Sequence, residues 1–282
     1  MTENTKPQLH SSMLDTLSRC GIQFQRRYGA RFGIWHEEEI HPPAVVMAIG
    51  TATHKSVERN LQHRIDTGEP ISAEEAANIA RDEFYRVKEK EGLMLHAAEA
   101  LDVDGTVGKA VDMSKDLALL HHSDRAPLLD PVAVEKRFVI EMTDLPFDLS
   151  GQMDIIVTDG IEDTKTRARS KGEYAAQTPQ MAMYATAYKT DPDLGNGAFP
   201  ATVTVAELLK YQAGPQIKIF QAVPSDLWMQ PLYHRIERFA EILEAVKAGK
   251  QAFTPAQPDD WQCTARWCGY ARTCKFWSGR EQ

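Results

Sequence analysis

Gly151-Gln-Met-Asp154-Ile-Ile-Val-Thr-Asp159-Gly160-Ile161-Glu-Asp163-Thr-Lys165-Thr166 reads as two short strands joined by a tight turn. Stretches rich in Ile and Val flank an Asp-Gly pair, and Asp-Gly favours a two-residue hairpin loop because both positions accept positive φ at low cost. With Asp159-Gly160 as the loop, cross-strand partners have numbers summing to 319, so Asp154 faces Lys165 and Ile156 faces Asp163. Opposed side chains share a sheet face, as do residues two apart on one strand. Asp154, Asp163 and Lys165 are therefore expected on one face, with opposed Cβ atoms about 5 Å apart.

Two carboxylates and an ammonium on one face suit phosphodiester hydrolysis. Carboxylate oxygens are preferred ligands of Mg²⁺ or Mn²⁺. Such a metal polarises a phosphate and acidifies a bound water, while a nearby lysine orients that water or stabilises charge. The same trio also suits a solvent-facing hairpin whose Asp and Lys form a cross-strand ion pair worth a fraction of a kcal/mol. Taken alone, the three residues leave both readings open.

Around this hairpin the chain divides by character. Leu9, Met13, Leu14, Leu17 and Phe24 recur at helical spacing, which predicts an opening helix over Leu9 to Tyr28 with Cys20 inside it or at a break near Gly21. Pro42-Pro43 ends an irregular segment, and further helices are expected from about Thr51 to Ile65, from a capping box at Ser72 and Glu75, and between Lys109 and His121. From Pro131 the residues turn β-rich, with strands over Val132 to Ile140, Phe147 to Thr158 and Ile161 to Thr166. Then come a helix over Tyr174 to Lys189, strands over Ala201 to Tyr211 and Ile217 to Val223, and a long helix over Ser225 to Ala248. This gives a helical region 1–125, an α/β core 126–250 and a tail 251–282, integrated as one domain.

The 282 residues are 43% hydrophobic, enough for a sizeable core and too apolar for a disordered chain. A formal net charge of −8 excludes a protein that coats nucleic acid by bulk electrostatics. It leaves room for an enzyme whose carboxylates hold a metal and whose nucleic-acid contact is a local basic strip. Met1 to His10 lacks a basic-then-apolar signal pattern. The longest apolar run, Ala44 to Gly50, is far shorter than the roughly 20 residues of a membrane helix. A cytoplasmic protein with no membrane partner is expected, and its four cysteines are poor candidates for disulfides in that reducing compartment.

Gly151-x-x-Asp154 and Asp163-x-Lys165-Thr166 resemble elements of the PD-(D/E)XK nuclease superfamily, in particular its RecB-like branch. Two further elements of that branch have counterparts in the same order: Gly50-Thr51-x-x-His54 upstream and Gln180-x-x-x-Tyr184 downstream. The resemblance implies a nuclease core of mixed central sheet flanked by helices, with an N-terminal helical region. It implies that His54 joins Asp154 and Asp163 as metal ligands, with the Thr164 carbonyl as a further one. It also implies that Lys165, Gln180 and Tyr184 serve catalysis beside the two acids. Glu58 lies one helical turn beyond His54 on the same face. Outside this context His54 reads as an ordinary half-buried histidine, and Gln180 and Tyr184 as a surface glutamine and a core tyrosine. Arg167, Arg169 and Lys171 follow the lysine as a backbone-binding strip or a solvated loop.

Cys20, Cys263, Cys268 and Cys274 resemble the arrangement in the AddB and CRISPR-associated RecB-like exonucleases, where one cysteine upstream of the core joins three downstream. The spacing departs from the commoner form, in which two downstream cysteines stand two residues apart rather than four. The resemblance implies a [4Fe-4S] cluster, for which four thiolates are the usual ligands. Zn²⁺ accepts the same donors, and free cysteines are the third reading. Together the motifs imply a Mg²⁺- or Mn²⁺-dependent DNA exonuclease of recombination or repair, acting on single strands or duplex ends, with a helicase or recombinase as candidate partner. A non-catalytic DNA-binding or scaffolding module is the alternative, and a redox protein that uses the cysteines is another.

Overall fold

The computed structural model describes residues 6–211, 213–257, 259–265, 267–277 and 279. A two-residue strand β1 (Gln8–Leu9) leads into helices α1 (Ser11–Arg19) and α2 (Gly21–Tyr28). Three long helices follow, α3 (Val45–Thr67), α4 (Ala73–Glu91) and α6 (Val103–Leu120), with a single turn, α5 (Ala97–Ala100), between the last two. The remainder runs β2 (Pro131–Ile140), β3 (Asp148–Val157), β4 (Gly160–Arg167), α7 (Pro179–Thr190), β5 (Thr202–Leu209), β6 (Gln216–Ala222) and α8 (Asp226–Lys247).

The strands form one mixed sheet in the order β1-β3-β4-β5-β6, with β2 also on β3. β4 and β5 run parallel, and β2/β3, β3/β4 and β5/β6 run antiparallel. Helices flank the sheet and enclose two main cores. Phe24, Phe147, Met181 and Phe239, from α2, the start of β3, α7 and α8, anchor one; Ala48, Phe84, Val111 and Leu117, from α3, α4 and α6, anchor the other. The sheet contributes Ile156, Ile161 and Val203 to the first and Leu208 to the second.

Local chemistry sets the helix ends. Cys20 is the break in the opening helix: it takes extended backbone, and its sulfur accepts a bond from the Gln23 N–H. Ser72 caps α4 through the Glu75 N–H, and Gly68 ends α3 at φ 84°. The helix expected from Tyr174 starts later, at Pro179 with Thr178 as its cap, because residues 172–176 form a separate 3-10 turn.

The hairpin register differs from the expectation. Val157 pairs with Gly160, Ile156 with Ile161 and Ile155 with Glu162, so the loop is Thr158-Asp159 and partner numbers sum to 317. Asp154 therefore stands opposite Asp163 rather than Lys165, and Ile156 opposite Ile161 rather than Asp163. Gly160 is not at positive φ, so the turn does not use its freedom. A Cβ there would sit 2.7 Å from the Thr202 carbonyl oxygen, so the glycine admits close approach of β5 instead. A shift of two residues preserves side-chain parity, and the three polar residues stay on one face.

Only Ile155, Ile156 and Val157 of the ten-residue β3 pair with β4, whereas β4 pairs with β5 along its whole length. β1 takes up Asp148 and Leu149 at the far end of β3. The two hairpin strands thus part at Asp154 and Asp163.

Candidate active site

At this parting the long helix α3 crosses the sheet. Gly50 makes the crossing close, since a Cβ there would lie 3.1 Å from Thr166 Oγ1. One turn later His54 Nδ1 lies 3.2 Å from Asp154 Oδ2, which also accepts the Thr164 N–H at 3.4 Å. Lys165 Nζ lies 2.9 Å from Asp163 Oδ1, and the Gln180 amide donates to the same oxygen at 3.1 Å and to the Tyr184 hydroxyl at 2.6 Å. Gly151 has a packing reason of its own. A Cβ there would meet Phe138 Cζ at 2.7 Å, and the Phe138 ring stands edge-on to Tyr184 with centroids 6.0 Å apart.

A residue that sequence reasoning missed completes the cluster. The pairs Val134/Ile155 and Lys136/Met153 place Glu135 opposite Asp154. Glu135 has φ 53°, a costly conformation for a non-glycine residue that marks functional sites. His54, Glu135 and Asp154 each offer a ligand atom, all within 4.8 Å of one another. The available signal was the one acid of β2, set directly before Lys136 and Arg137, and its importance emerges only once β2 is registered on β3.

The electrostatics reflect crowding of acids in a shielded place. Burial, reinforced by Asp154, pushes the Glu135 carboxyl up to about 7. Burial also lifts Asp163, to about 6, with Asp154 adding and Lys165 opposing. Although burial works against the charged forms, His54 is raised by Asp154, and Asp154 is lowered by His54 and Lys165. Lys165 likewise stays raised against its burial, held by Asp163 and Asp154. Asp163 is completely buried, and its Oδ2 has no hydrogen-bonding partner among the described residues. An orphaned carboxylate oxygen beside a His/Glu/Asp trio is the donor set a hard divalent cation requires.

Two open clefts of about 750 and 830 Å³ meet at this cluster, both lined by Glu135, Asp154 and Lys165. His54 and Glu58 line the first, and Gln180 and Tyr184 the second. Glu58 is ion-paired to Lys55 at 2.7 Å. The expected basic strip is divided: Arg169 and Lys171 are exposed, whereas Arg167 Nε lies 2.9 Å from Oε1 of the fully buried Glu207.

A family model of the PD-(D/E)XK nuclease superfamily matches residues 9–275. The chain belongs to that superfamily. Among solved structures, a protein from Eubacterium rectale named as a candidate exonuclease shares the fold at a TM-score of 0.53 and 14% identity, over 98% of this chain and 94% of that one. The structure named SSO0001 covers 90% of this chain and 96% of its own at 12% identity, with a TM-score of 0.33. No curated protein matches the chain. The superfamily is one of nucleases, and the mixed sheet flanked by helices agrees with its fold.

The cysteines lie away from this cluster, where the two ends of the chain meet. The Gly21 N–H donates to the Thr254 carbonyl at 2.8 Å, Arg19 bonds Gln262 at 2.7 Å, and Arg26 bonds Thr273 at 2.8 Å. All four cysteines are half-buried and none forms a disulfide. Burial raises the Cys268 thiol, and the neighbouring Cys20, Cys263 and Cys274 add to it. No three of the four sulfurs lie within 4.8 Å of one another. No helix among the described residues is long and apolar enough to cross a membrane.

Proposed function

We propose that the protein is a divalent-metal-dependent exonuclease that hydrolyses DNA phosphodiester bonds, working on single strands or duplex ends in recombination or repair. The observation that carries this reading is the orphaned Oδ2 of buried Asp163, whose carboxylate is paired to Lys165, one of the residues that with Asp154 line both clefts.

His54, Glu135, Asp154 and Asp163 would hold Mg²⁺ or Mn²⁺. The Thr164 carbonyl is a further donor, because N–H and C=O of an extended residue share an edge and the Thr164 N–H points to Asp154. A cation so held supplies polarisation of the scissile phosphate and acidification of an attacking water. Lys165, fixed by Asp163, orients that water and offsets charge developing on the phosphate. Gln180 and Tyr184 position Asp163 from behind. Arg169 and Lys171 bind the sugar-phosphate backbone, with Arg167 lining the cleft beside them. A helicase or recombinase would be the partner that presents the ends.

The four cysteines would hold a structural [4Fe-4S] cluster. Four thiolates are the usual ligand set of such a cluster, each bound at a separate iron. Zn²⁺, which accepts the same four thiolates in tetrahedral geometry, is the alternative occupant.

Digestion of end-labelled and circular single strands with Mg²⁺ and Mn²⁺ tests the activity. Asp163→Ala and Lys165→Ala should abolish degradation of the labelled linear strand with the fold intact, and the circle should persist. Unchanged activity in either variant would refute the assignment, and DNA binding without any cleavage by the unaltered protein would indicate a non-catalytic DNA-binding or scaffolding module. A visible absorption band bleached by dithionite would identify iron-sulfur over zinc, and nuclease activity unchanged by that reduction would mark the cluster as structural.

A further inference from the structure

The cleft on the α3 side has an aromatic wall that the chemistry above leaves unused. Trp267 lines it with Val46 and Met47 of α3, and Lys165, Arg167 and Lys210 line the same cleft, as do acids that include Glu58 and Glu83. Met47 is 54% exposed. Trp261 stands edge-on to Trp267, with centroids 5.4 Å apart and planes at 83°, and is itself 59% exposed. The Trp267 backbone N–H donates to the Thr264 carbonyl at 3.1 Å and the Cys268 backbone N–H to the same oxygen at 2.9 Å, which anchors the tryptophan in the cysteine-bearing tail. Thr264 is itself buried.

We propose that Trp267, braced by Trp261, is a base-stacking platform for single-stranded nucleic acid in this cleft; this rests on the nuclease reading of the adjoining cluster. A ligand for this wall must offer flat apolar faces to the indoles and anionic charge to the lysines and arginine within one strip. Lys165 and Arg167 are already paired to Asp163 and Glu207, so an apolar peptide would chiefly leave Lys210 unmatched, and a polyphosphate would leave the indoles unmatched. A single strand offers both, because its unpaired bases expose π-faces that a duplex keeps stacked internally. The stack places the strand on the approach to Glu135, Asp154 and Lys165, which the same cleft reaches. Such stacking is tolerant of sequence, since every base has a π-face.

The experiment compares dissociation constants of the full-length protein for a labelled single-stranded oligonucleotide and an abasic strand of equal length, with Ca²⁺ replacing the catalytic metal. Trp267→Ala should weaken binding of the base-containing strand about tenfold or more. It should leave the abasic strand unaffected and preserve Mn²⁺-dependent hydrolysis of bis(p-nitrophenyl) phosphate. Trp267→Phe should restore most of the affinity, and Trp261→Ala, on the exposed rim, should give a smaller loss. Equal weakening on the abasic strand, or no weakening on either, would overturn the platform while wild-type cleavage still upheld the nuclease. Absence of cleavage by the wild-type protein, whatever its binding, would instead sink the underlying reading.

Discussion

The Gln180 amide joins Asp163 to Tyr184: it donates to Asp163 Oδ1 at 3.1 Å and to the Tyr184 hydroxyl at 2.6 Å. That oxygen of Asp163 thus has its hydrogen bond supplied by α7, while the other has no hydrogen-bonding partner among the described residues. Groups that orient a metal-binding carboxylate typically matter 10- to 100-fold in affinity or activity. Gln180→Leu is expected to lower Mn²⁺-dependent cleavage by about that factor, and Tyr184→Phe by less. A thermal melt close to wild type would confirm that positioning rather than folding was lost. Full activity in Gln180→Leu would show that Asp163 needs no such support.

Glu135 gives a direct test of the metal-binding trio. Ligands that bind only the folded chain raise its apparent stability. Mn²⁺ is expected to raise the melting temperature of the wild-type protein, and a chelator to reverse the rise. In Glu135→Ala the Mn²⁺ concentration giving half the shift should increase about tenfold, equivalent to about 1.4 kcal/mol of binding free energy. An identical titration in wild type and variant would remove Glu135 from the cation's ligands.

The ion pair between Arg167 and Glu207 concerns stability before substrate. Glu207 is fully buried and also accepts the Lys171 backbone N–H at 3.1 Å, so it ties the end of β4 and the following loop to β5. Glu207→Ala would leave a guanidinium with 20% side-chain exposure without its carboxylate. A cost of about 3 kcal/mol is expected, at the lower end for a broken buried pair because Arg167 keeps some solvent. Urea unfolding measures it, and a change below 1 kcal/mol would mean that Arg167 finds solvent freely.

His121 should make the protein acid-sensitive independently of its chemistry. The ring is buried, and neither nitrogen has a hydrogen-bonding partner among the described residues. Burial, aided by Arg125, lowers it from 6.5 to about 3. Above pH 6.5 both folded and unfolded chains carry it neutral. As pH falls below 6.5 only the unfolded chain takes up the proton, so stability declines by up to about 1.4 kcal/mol per pH unit until the folded form titrates near 3. In urea unfolding, His121→Leu should lose less stability than wild type between pH 7 and pH 4.5. Parallel losses in the two proteins would refute the assignment.

Much of this site was legible in the sequence, for reasons that differ by residue. The faces of Asp154, Asp163 and Lys165 came through because strand parity survives a two-residue error in register. The register itself did not, because Gly160 serves the approach of β5, a long-range packing demand that resembles a local turn signal. Strand β1 is two residues long and carries no periodicity to read. Glu135 stayed hidden because its partner lies nineteen positions downstream on another strand, and no local pattern encodes its positive φ. The start of α7 was written plainly as Thr178-Pro179, yet the apolar residues of the preceding 3-10 turn masked it.

Because β3 and β4 pair only near their turn, Asp154 and Asp163 stand at the fork of two arms with separate supports. β2 and β1 brace one arm and β5 braces the other. The spacing of the two carboxylates is therefore set from outside the hairpin, by strands that contribute no acid to the cluster beyond Glu135. A cation held there, as proposed, would meet carboxylates whose spacing answers to the sheet's outer strands, and substitutions on β5 are expected to shift metal preference without altering a single ligand.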